Sequence, residues 1–421
     1  MKEQPARDEN IRAIVAYFES GVKERAEMIG IELEHTLVHA DGTPVSYLDE
    51  DGQRIILERL RETYPISERD ATGNITLLSD GVANITLEPA AQVEVSAGPF
   101  SSLHDALARI RTFQCDLDRA SARDINITTL GYHPTRRAID LKLIPKARYR
   151  IMNEYLGAVS SFGICMMRGS ASTQISIDYT SVDDCLRKLR LANAIVPIVS
   201  LICDNSPVFE AAPRTHQLVR TEIWEKCDPD RCCTPPGVMD AGFDLRAYAE
   251  YILDAPAMVD ISTGSPELSE RTIGSIYADR KMSEADIEHV LSVFFTDVRL
   301  KRYIEIRPAD ALPARFAVAY AALIKGLFYA DASLDAMDRI FQGVSGDDIV
   351  NAKAALMEQG YAAQVYAHPV SEIADELMSL AAAGLPDDEV DLLKPLAVLV
   401  ANRVTLADME TVRAGSVEDD A

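Results

Sequence analysis

The sequence predicts an α+β fold built on an antiparallel sheet. Three observations indicate this class: runs that alternate apolar and polar residues, turns of small residues between consecutive runs, and helical blocks that stay separate from them. A doubly wound fold would instead alternate strands with crossover helices, and its buried strands would be apolar on both faces. The connections between strands therefore favour the α+β class.

The first predicted elements follow from local patterns. An apolar stripe at helical spacing predicts a first helix that ends near Gly21 and contains Ile11, Ile14, Val15, Phe18 and Val22. The stretch MIGIELEHTLV, residues 28–38, predicts a strand, and NITLL, SDG and VANITLE predict a hairpin. Ser102 and Asp105 resemble a capping box, which opens a helix that we expect to run to about Ala122.

The second half of the chain divides into two parts. STQISIDY and RYIEIRP return to period two, and a helical block at 182–202 and a loop rich in Pro and Cys near 227–240 separate them. From about Ala314 the chain is rich in Ala and Leu at helical spacing, and strand signals disappear. We therefore predict an α+β domain over residues 1–313 and a C-terminal helical region over residues 314–421, packed on it and ending in the acidic tail SVEDDA.

Composition limits the classes of function. The 421 residues carry 42 Lys and Arg against 66 Asp and Glu, a formal net charge of −24, which disfavours nucleic acid and anionic membranes as partners. Neither a secretory leader nor a membrane-spanning run is evident, and seven cysteines at irregular spacing indicate reduced thiols. We expect a cytoplasmic globular protein that acts as a monomer or homodimer.

Two glutamates lie one residue apart in the strand predicted at 28–38. Because side chains alternate across a strand, Glu32 and Glu34 share one face, opposite Ile29, Ile31 and Leu33. The same alternation in the other runs places these residues on the face opposite the apolar one: Glu88, Gln92, Glu94, Ser96, Gln174, Ser176, Asp178, Tyr303, Glu305 and Arg307. Four separate segments thus share an acidic and amide-rich face.

Water is one explanation of this polar face, because antiparallel sheets often have one solvated side. The residue types favour another, since a solvated face usually mixes Lys, Thr, Arg and Glu, whereas these strands carry glutamates without lysine. Like charges this close disfavour ionisation unless hard cations with oxygen ligands compensate them. Mg²⁺ binds carboxylates together with substrate phosphates, which suggests a nucleotide as the shared ligand.

The common phosphate-binding loops are absent. Neither G-x-x-x-x-G-K-[ST] nor G-x-G-x-x-G occurs, and the zinc motif H-E-x-x-H is missing as well. The pattern therefore favours phosphoryl transfer at a metal cluster on a sheet, with arginines neutralising charge.

Six segments together resemble one enzyme family, the plant and proteobacterial type of glutamate–cysteine ligase: IGIELEH, LEPAAQVEVS, PKARYRIMNEYL, MMRGSASTQISIDYTS, NSPVFEAAPRTHQLVRTEIWEKCDPDR and RLKRYIEIRPAD. The resemblance runs from about Glu24 to Pro313. It implies that residues 1–313 form a catalytic domain similar to that of glutamine synthetase, with a curved, mainly antiparallel sheet flanked by helices. It also implies ATP- and Mg²⁺-dependent ligation of the γ-carboxylate of L-glutamate to the amine of L-cysteine through a γ-glutamyl phosphate.

By position, the resemblance implies five magnesium ligands, with ATP phosphates completing their shells: Glu32, Glu34, Glu88, Glu94 and Glu305. Arg220 and Arg231 match basic positions of the family, and Arg307 shares a strand face with Glu305. Their planar guanidinium groups suit the glutamate carboxylate or the transferring phosphate, although a surface ion pair is the alternative for any one of them. Gln92 and Gln174 are the predicted polar contacts to nucleotide or substrate.

The sequence departs from the family near the predicted site. Ala90 and Ala91 stand where two glycines are usual, Pro308 replaces another, and Cys232 and Cys233 stand close to a third. Because glycine permits close approach of backbone to a ligand, these exchanges put the amine acceptor in question. The alternatives are a γ-glutamyl ligase that uses a different amine and a non-catalytic binding homologue.

Three further features have structural interpretations. Cys227, Cys232 and Cys233 match no zinc motif, so free thiols are favoured over a metal or redox site. His35 falls on the apolar face and is predicted to be a core histidine bonded to backbone. Trp224 lies between two of the arginines, and we expect it to pack against them, with stacking on adenine as the alternative.

Overall fold

The computed structural model describes residues 5–409, so the tail SVEDDA lies outside the described residues. The helices are α1 (Pro5–Glu19), α2 (Gln53–Leu60), α3 (Leu103–Ala120), α4 (Ala147–Val159), α5 (Ser161–Ile164), α6 (Val182–Ile202), α7 (Val219–Glu225), α8 (Leu245–Asp254), α9 (Ile273–Ile276), α10 (Glu284–Leu291), α11 (Ala314–Phe328), α12 (Asp331–Ile340), α13 (Gly346–Gln359), α14 (Val370–Gly384) and α15 (Val390–Asn402). A π-helical turn spans Cys165–Gly169, and two 3-10 turns span Ala138–Asp140 and Gly360–Ala362.

The strands are short except for the first. They are β1 (Ile29–His39), β2 (Ile66–Arg69), β3 (Ile75–Ser79), β4 (Ala83–Leu87), β5 (Val93–Phe100), β6 (Ile125–Thr128), β7 (Thr173–Ile177), β8 (Val208–Phe209), β9 (Ala212–Pro213), β10 (Cys232–Cys233), β11 (Pro256–Asp260), β12 (Glu267–Thr272), β13 (Phe295–Thr296), β14 (Val298–Leu300), β15 (Ile304–Ile306), β16 (Gln364–Val365) and β17 (His368–Pro369).

Nine strands form the central sheet, in the order β14-β15-β7-β1-β5-β4-β3-β2, with β6 paired to the second half of β1. Every pairing within this sheet is antiparallel. Helices including α3 and α11 pack against it. These features confirm the α+β class with an antiparallel sheet flanked by helices.

The strand β1 shows why the sheet has one apolar face and one polar face. Ile29, Ile31 and Leu33 are at most 1% exposed and belong to the core. On the opposite face, Glu34 is directly across from Glu94 of β5. The period-two prediction for this strand is therefore confirmed, and the polar face is the one that carries the candidate site.

Local signals placed several other elements correctly. The predicted hairpin is β3–β4, and the predicted helical block at 182–202 is α6. Helix α3 begins after Ser102, whose Oγ accepts a hydrogen bond from the N–H of Asp105 at 3.4 Å. The helix ends at Ala120, two residues before the expected end.

The C-terminal region from Ala314 is mainly helical, and its helix α11 lies against β7 and α3 with its residues 316–328 buried. A short hairpin, β16–β17, interrupts the helices, so the expectation that strands disappear was wrong at this point. Two consecutive residues with positive φ, Tyr366 and Ala367, make its tight turn. The division into domains at residues 313 and 314 stays a prediction.

Within residues 5–409, no single helix has both the length and the apolarity of a membrane span. The α11–α12 pair, bent by 87°, meets those criteria only when the two helices are counted together.

Candidate active site

A cavity of about 330 Å³ opens on the polar face of the central sheet. It brings together four of the five predicted metal ligands, both predicted glutamines and two of the three predicted arginines. The lining side chains are those of Glu32, Glu34, Glu88, Pro89, Gln92, Glu94, Lys146, Arg148, Tyr149, Met152, Met166, Met167, Ser170, Ser172, Gln174, Arg220, Trp224, Ser292, Phe295, Arg299, Lys301 and Arg307.

One side of the cavity is the acidic wall, formed by Glu32 and Glu34 of β1, Glu94 of β5 and Glu88 in the turn between β4 and β5. Neutral hydroxyl groups supply part of its hydrogen bonding: Ser172 donates to Glu34 at 2.6 Å, and Thr86 donates to Glu94 at 2.8 Å. Among the residues that the structure describes, none of these four carboxylates has a salt-bridge partner.

The environment raises the pKa of every carboxyl group in the acidic wall. Burial is the main cause, and neighbouring carboxylates add to it: the pKa of Glu32 rises to about 8, with Glu305 and Glu94 contributing. Burial and Glu94 raise the pKa of Glu34 to about 7, and Glu88 and Glu94 rise to about 7 for equivalent reasons. Four hard oxygen donors without cationic partners fit a divalent cation such as Mg²⁺.

The other side is the basic wall, formed by Arg220 of α7 and by Arg299, Lys301 and Arg307 on and beside the β14–β15 hairpin. Three of these cations surround the fully buried carboxylate of Glu305. Arg299 lies at 2.6 Å, Arg307 at 2.8 Å and Lys301 at 3.0 Å from it. Burial opposes ionisation of Glu305, but Arg299, Lys301 and Arg307 hold its pKa well below the usual range.

Glu305 therefore has different neighbours from the other four predicted metal ligands. Its carboxylate is fully buried, does not line the cavity and pairs with protein cations, whereas the four carboxylates of the acidic wall have no such pair among residues 5–409. Its role as a metal ligand stays a prediction.

The three predicted arginines fall into two environments. Arg220 and Arg307 line the cavity, and Nη1 of Arg220 donates to the carbonyl oxygens of Arg307, Pro308 and Ala309 at 3.2–3.3 Å. Arg307 donates to Gln174 and to Glu305. The guanidinium of Arg220 lies 5.6 Å from the ring centroid of Trp224, in agreement with the expected packing.

The structure does not bring Arg231 to the cavity. Its side chain is fully buried, pairs with Asp228 at 2.6 Å and donates to the carbonyl of Pro256 at 2.9 Å. Its guanidinium also stacks on Tyr155 at 5.2 Å. The ion-pair partner, Asp228, is the first residue of the same D-P-x-R motif that contains Arg231. A contact between Arg231 and substrate therefore has no geometric support.

Both predicted glutamines are held by the protein. The amide of Gln92 donates to the backbone carbonyl of Ser170 at 2.9 Å and accepts from the N–H of Ala90 at 3.0 Å. This ties the turn of Glu88 to the segment after the π-helical turn. Gln174 accepts from Arg307 and so orients a cation of the basic wall.

Sequence reasoning missed eight polar residues of the cavity: Lys146, Arg148, Tyr149, Ser170, Ser172, Ser292, Arg299 and Lys301. A signal for Arg299 and Lys301 was present, because period two places them on one face of the strand hairpin that carries Glu305. Lys146 and Arg148 lie in PKARYRIMNEYL, a segment quoted for the family resemblance. Burial lowers the pKa of Lys146, while Glu88 opposes that change.

Two of the departures from the family pattern fall at unusual backbone angles. Ala91 has φ of 69° and Cys233 has φ of 67°, in the left-handed region that favours glycine. Ala91 lies in the turn between Glu88 and Glu94, so the acidic wall rests on a strained backbone. Pro308 contributes its carbonyl to Arg220.

The structure also shows the environments of His35 and of the three cysteines near residues 227–233. His35 is fully buried, its Nδ1 donates to the carbonyl of Val93 at 3.2 Å, and the prediction of a core histidine is confirmed. Cys227, Cys232 and Cys233 are free, and the first two are buried.

Known proteins match both the sequence and the fold of this chain. The sequence profile of glutamate-cysteine ligase family 2 (GCS2) matches residues 28–401. Glutamate–cysteine ligase B, chloroplastic, of Oryza sativa subsp. japonica is 29% identical over 412 residues, which cover 94% of this chain and 82% of the relative. The chloroplastic glutamate–cysteine ligase of Arabidopsis thaliana is 30% identical over 334 residues, 77% of this chain and 64% of the relative.

A solved structure supports the fold. Glutamate–cysteine ligase of Francisella tularensis in complex with AMP matches with a TM-score of 0.55 and 13% identity, over 90% of this chain and 83% of that one. Fold, site and relatives together define an enzyme of the carboxylate–amine ligase class. The chain belongs to glutamate-cysteine ligase family 2, as the six sequence segments predicted.

Proposed function

We propose that this enzyme joins the γ-carboxylate of L-glutamate to the amine of L-cysteine, consumes ATP with Mg²⁺, and releases γ-glutamylcysteine, ADP and phosphate. The observation that carries the proposal is one cavity lined both by the acidic wall, which has no salt-bridge partner among the described residues, and by the basic wall. The first wall suits divalent cations and the second suits carboxylate and phosphate groups, which are the charged parts of these substrates.

The reaction needs two steps because a carboxylate is a poor electrophile. In the first, a γ-carboxylate oxygen of glutamate attacks the terminal phosphorus of ATP, the bond to ADP breaks, and γ-glutamyl phosphate forms. In the second, the amine of cysteine attacks the acyl carbon, phosphate leaves with the bonding electron pair, and the amine loses a proton. Catalysis of such transfers depends mainly on positioning and on charge stabilisation.

The acidic wall would hold the metal. Glu32, Glu34, Glu88 and Glu94 offer the oxygen ligands, and Mg²⁺ would neutralise phosphate charge when bound. Ser172 fixes the direction of Glu34 through its 2.6 Å hydrogen bond. Gln92 holds the turn that carries Glu88 and Ala90, so it positions this wall from its buried side.

The basic wall would bind the anionic groups. Arg220 and Arg307 line the cavity, and each presents a planar guanidinium that can donate to two oxygens of a carboxylate or phosphate. Arg299 and Lys301 add positive charge beside them and balance Glu305. Gln174 accepts a hydrogen bond from Arg307 and so restrains the guanidinium group of that arginine.

A γ-glutamyl ligase with a different amine acceptor is the second candidate. The replacement of glycine at Ala91 and Cys233, both at positive φ, is the observation that favours a reshaped amino-acid pocket. A non-catalytic homologue is not favoured, because Glu32, Glu34, Glu88, Glu94 and Glu305 are all present.

One assay separates these candidates: phosphate release from Mg·ATP and L-glutamate, with L-cysteine compared against a panel of other amines. Turnover that depends on cysteine supports the proposal. Turnover only with another amine supports the second candidate, and no turnover with any amine supports a non-catalytic role.

We further propose that the enzyme acts in the cytoplasm on small-molecule substrates, as a monomer or homodimer. All seven cysteines are free, which suits a reducing compartment. The net charge of −24 disfavours nucleic acid and anionic membranes.

A further inference from the structure

We propose that Lys353, on helix α13 of the C-terminal helical region, is a positioning residue for the basic wall of the active site. Its ammonium group bridges two carboxylates, Glu225 at 2.5 Å and Asp297 at 2.6 Å. The side chain of Lys353 is 2% exposed, and its two partners are 20% and 11% exposed. Lys353 lies 128 positions from Glu225 and 56 positions from Asp297 in sequence, so only the tertiary structure joins the three residues.

Each partner belongs to a segment that carries one of the cavity arginines. Glu225 is the last residue of α7, the helix that begins at Val219 and carries Arg220. Asp297 immediately precedes β14, and its backbone carbonyl accepts a hydrogen bond from the N–H of Arg307 at 2.9 Å. Lys353 thus links the two arginine-bearing segments from the side away from the cavity.

The two arginine segments also depend on each other at the cavity. Nη1 of Arg220 donates to the carbonyl oxygens of Arg307, Pro308 and Ala309, so a shift of α7 against β15 would move both guanidinium groups. Asp297 and Trp224 lie with Arg220 and Arg307 around a small void behind the cavity. Lys353 does not line the cavity itself, so it acts through the segments that it joins.

The electrostatics of this bridge make it hard to replace. Burial alone would lower the pKa of Lys353, but Asp297 and Glu225 raise it above its ordinary value, so the lysine stays charged. Removing the cation would leave two carboxylates unpaired in a poorly solvated place, and breaking such a pair is destabilising. The carboxylates would then separate, and α7 would shift relative to β14.

The inference rests on the proposed function, because it assumes that Arg220 and Arg307 bind anionic substrate groups. The test compares the full-length wild type with Lys353→Met and with Glu225→Gln. The second variant removes the charge of one of the two carboxylates and keeps the shape of the side chain. For each protein, calorimetry measures binding of Mg·ATP and of L-glutamate, and the phosphate-release assay measures KM and kcat.

A matched control is available in the same C-terminal region. Lys325 of α11 is 10% exposed, pairs with Glu389 at 2.6 Å and donates to the carbonyl of Ser101 at 2.7 Å, away from the cavity. Lys325→Met therefore removes a comparable buried ion pair without touching either arginine segment. It should lower the melting temperature while leaving substrate binding within about twofold of wild type, as expected for independent sites.

Lys353→Met and Glu225→Gln should weaken binding of Mg·ATP or L-glutamate by at least about tenfold, because a displaced guanidinium would lose a charge-assisted hydrogen bond to the substrate. If Lys353→Met does not fold, the same comparison is made with Glu225→Gln. Binding within about twofold of the Lys325→Met control would overturn the inference. Failure of the proposed function would be seen differently: the wild-type protein would show no phosphate release with any amine.

Discussion

The acidic and basic walls of the cavity differ in how their buried charges are neutralised. The basic wall contains its own counter-charge, because Arg299, Lys301 and Arg307 surround the buried carboxylate of Glu305, and it keeps a net positive charge. The acidic wall leaves its four carboxylates without cationic partners among the described residues, and burial raises their pKa values to about 7–8. The basic wall is thus ion-paired as folded and still positively charged, whereas the acidic wall requires protons or metal to be neutral.

This difference separates glutamates that have the same sequence signature. Glu32 and Glu305 both lie on strands in which they alternate with apolar residues, and both are on the same face of one sheet. Only the partners distinguish them: Glu305 acts as a counter-charge for protein cations, and Glu32 is available to a ligand. The predictions below test this contrast, from the largest expected effect to the smallest.

Substitution of Glu32 should separate activity from stability. Glu32→Gln keeps the shape of the side chain but removes a carboxylate from the acidic wall, so turnover should fall below detection because metal binding is lost. Stability should change by less than about 1 kcal/mol, because one source of like-charge repulsion is removed as well. The phosphate-release assay and a thermal melt measure the two quantities. Retained activity would show that Glu32 is not a ligand.

The same chemical change at Glu305 should destabilise the protein. Glu305→Gln leaves three cations around an uncharged amide, and breaking a buried ion pair in this way costs about 3–5 kcal/mol. Chemical denaturation of both variants under identical conditions measures the difference. Equal stability of Glu32→Gln and Glu305→Gln would break the contrast between the walls.

Metal-free protein should lose stability as the pH rises. The pKa values of the acidic wall, about 7–8, lie above the ordinary glutamate value of 4.5, so the folded state binds more protons than the unfolded state in this window. Deprotonation from pH 5 to 8 therefore favours unfolding, by about 2–3 kcal/mol for a single such group and by at least that amount for the wall as a whole. Added Mg²⁺ should remove most of this loss at pH 8. A flat stability profile in EDTA would contradict the prediction, and Glu32→Gln should show a smaller slope.

The backbone of the acidic wall supplies the smallest effect. Ala91→Gly relieves a φ of 69°, worth about 1 kcal/mol, but it also removes a buried methyl group worth about 0.8 kcal/mol. We therefore expect a change in unfolding free energy of less than about 1 kcal/mol by urea denaturation. Ala91→Val, which puts a β-branched residue at the same angle, should be clearly less stable than either. If valine is tolerated as well as glycine, the backbone is not strained there.

Much of the fold followed from local patterns. Period two identified β1, β5, β7 and β15 and the face that each presents, because alternation is a property of the extended backbone itself. The β3–β4 hairpin was found for the same reason, and helix α6 was found as a helical block between two period-two runs. The short β16–β17 hairpin was not, since two-residue strands carry no periodicity to detect.

The candidate site was predicted in part. Shared faces identified Glu32, Glu34, Glu88 and Glu94 as one group, and the structure brings all four to the cavity. Arg231 was also predicted as a substrate contact, but Asp228 at position i−3 holds it in a buried ion pair. Lys146 and Arg148 were missed because they lie at the start of α4, where the sequence shows no alternation that points to the sheet.

The sequence by itself determined which residues share a face of the sheet and which family the chain belongs to, because both depend on local repeats and on the order of motifs. Only the tertiary structure decided which charges are neutralised. Salt bridges depend on contacts within 4 Å, and the bridge from Lys353 to Asp297 and Glu225 joins residues that no local pattern connects. The same side-chain chemistry thus lines the cavity without a salt bridge to any described residue at Glu32 and acts as a counter-charge at Glu305.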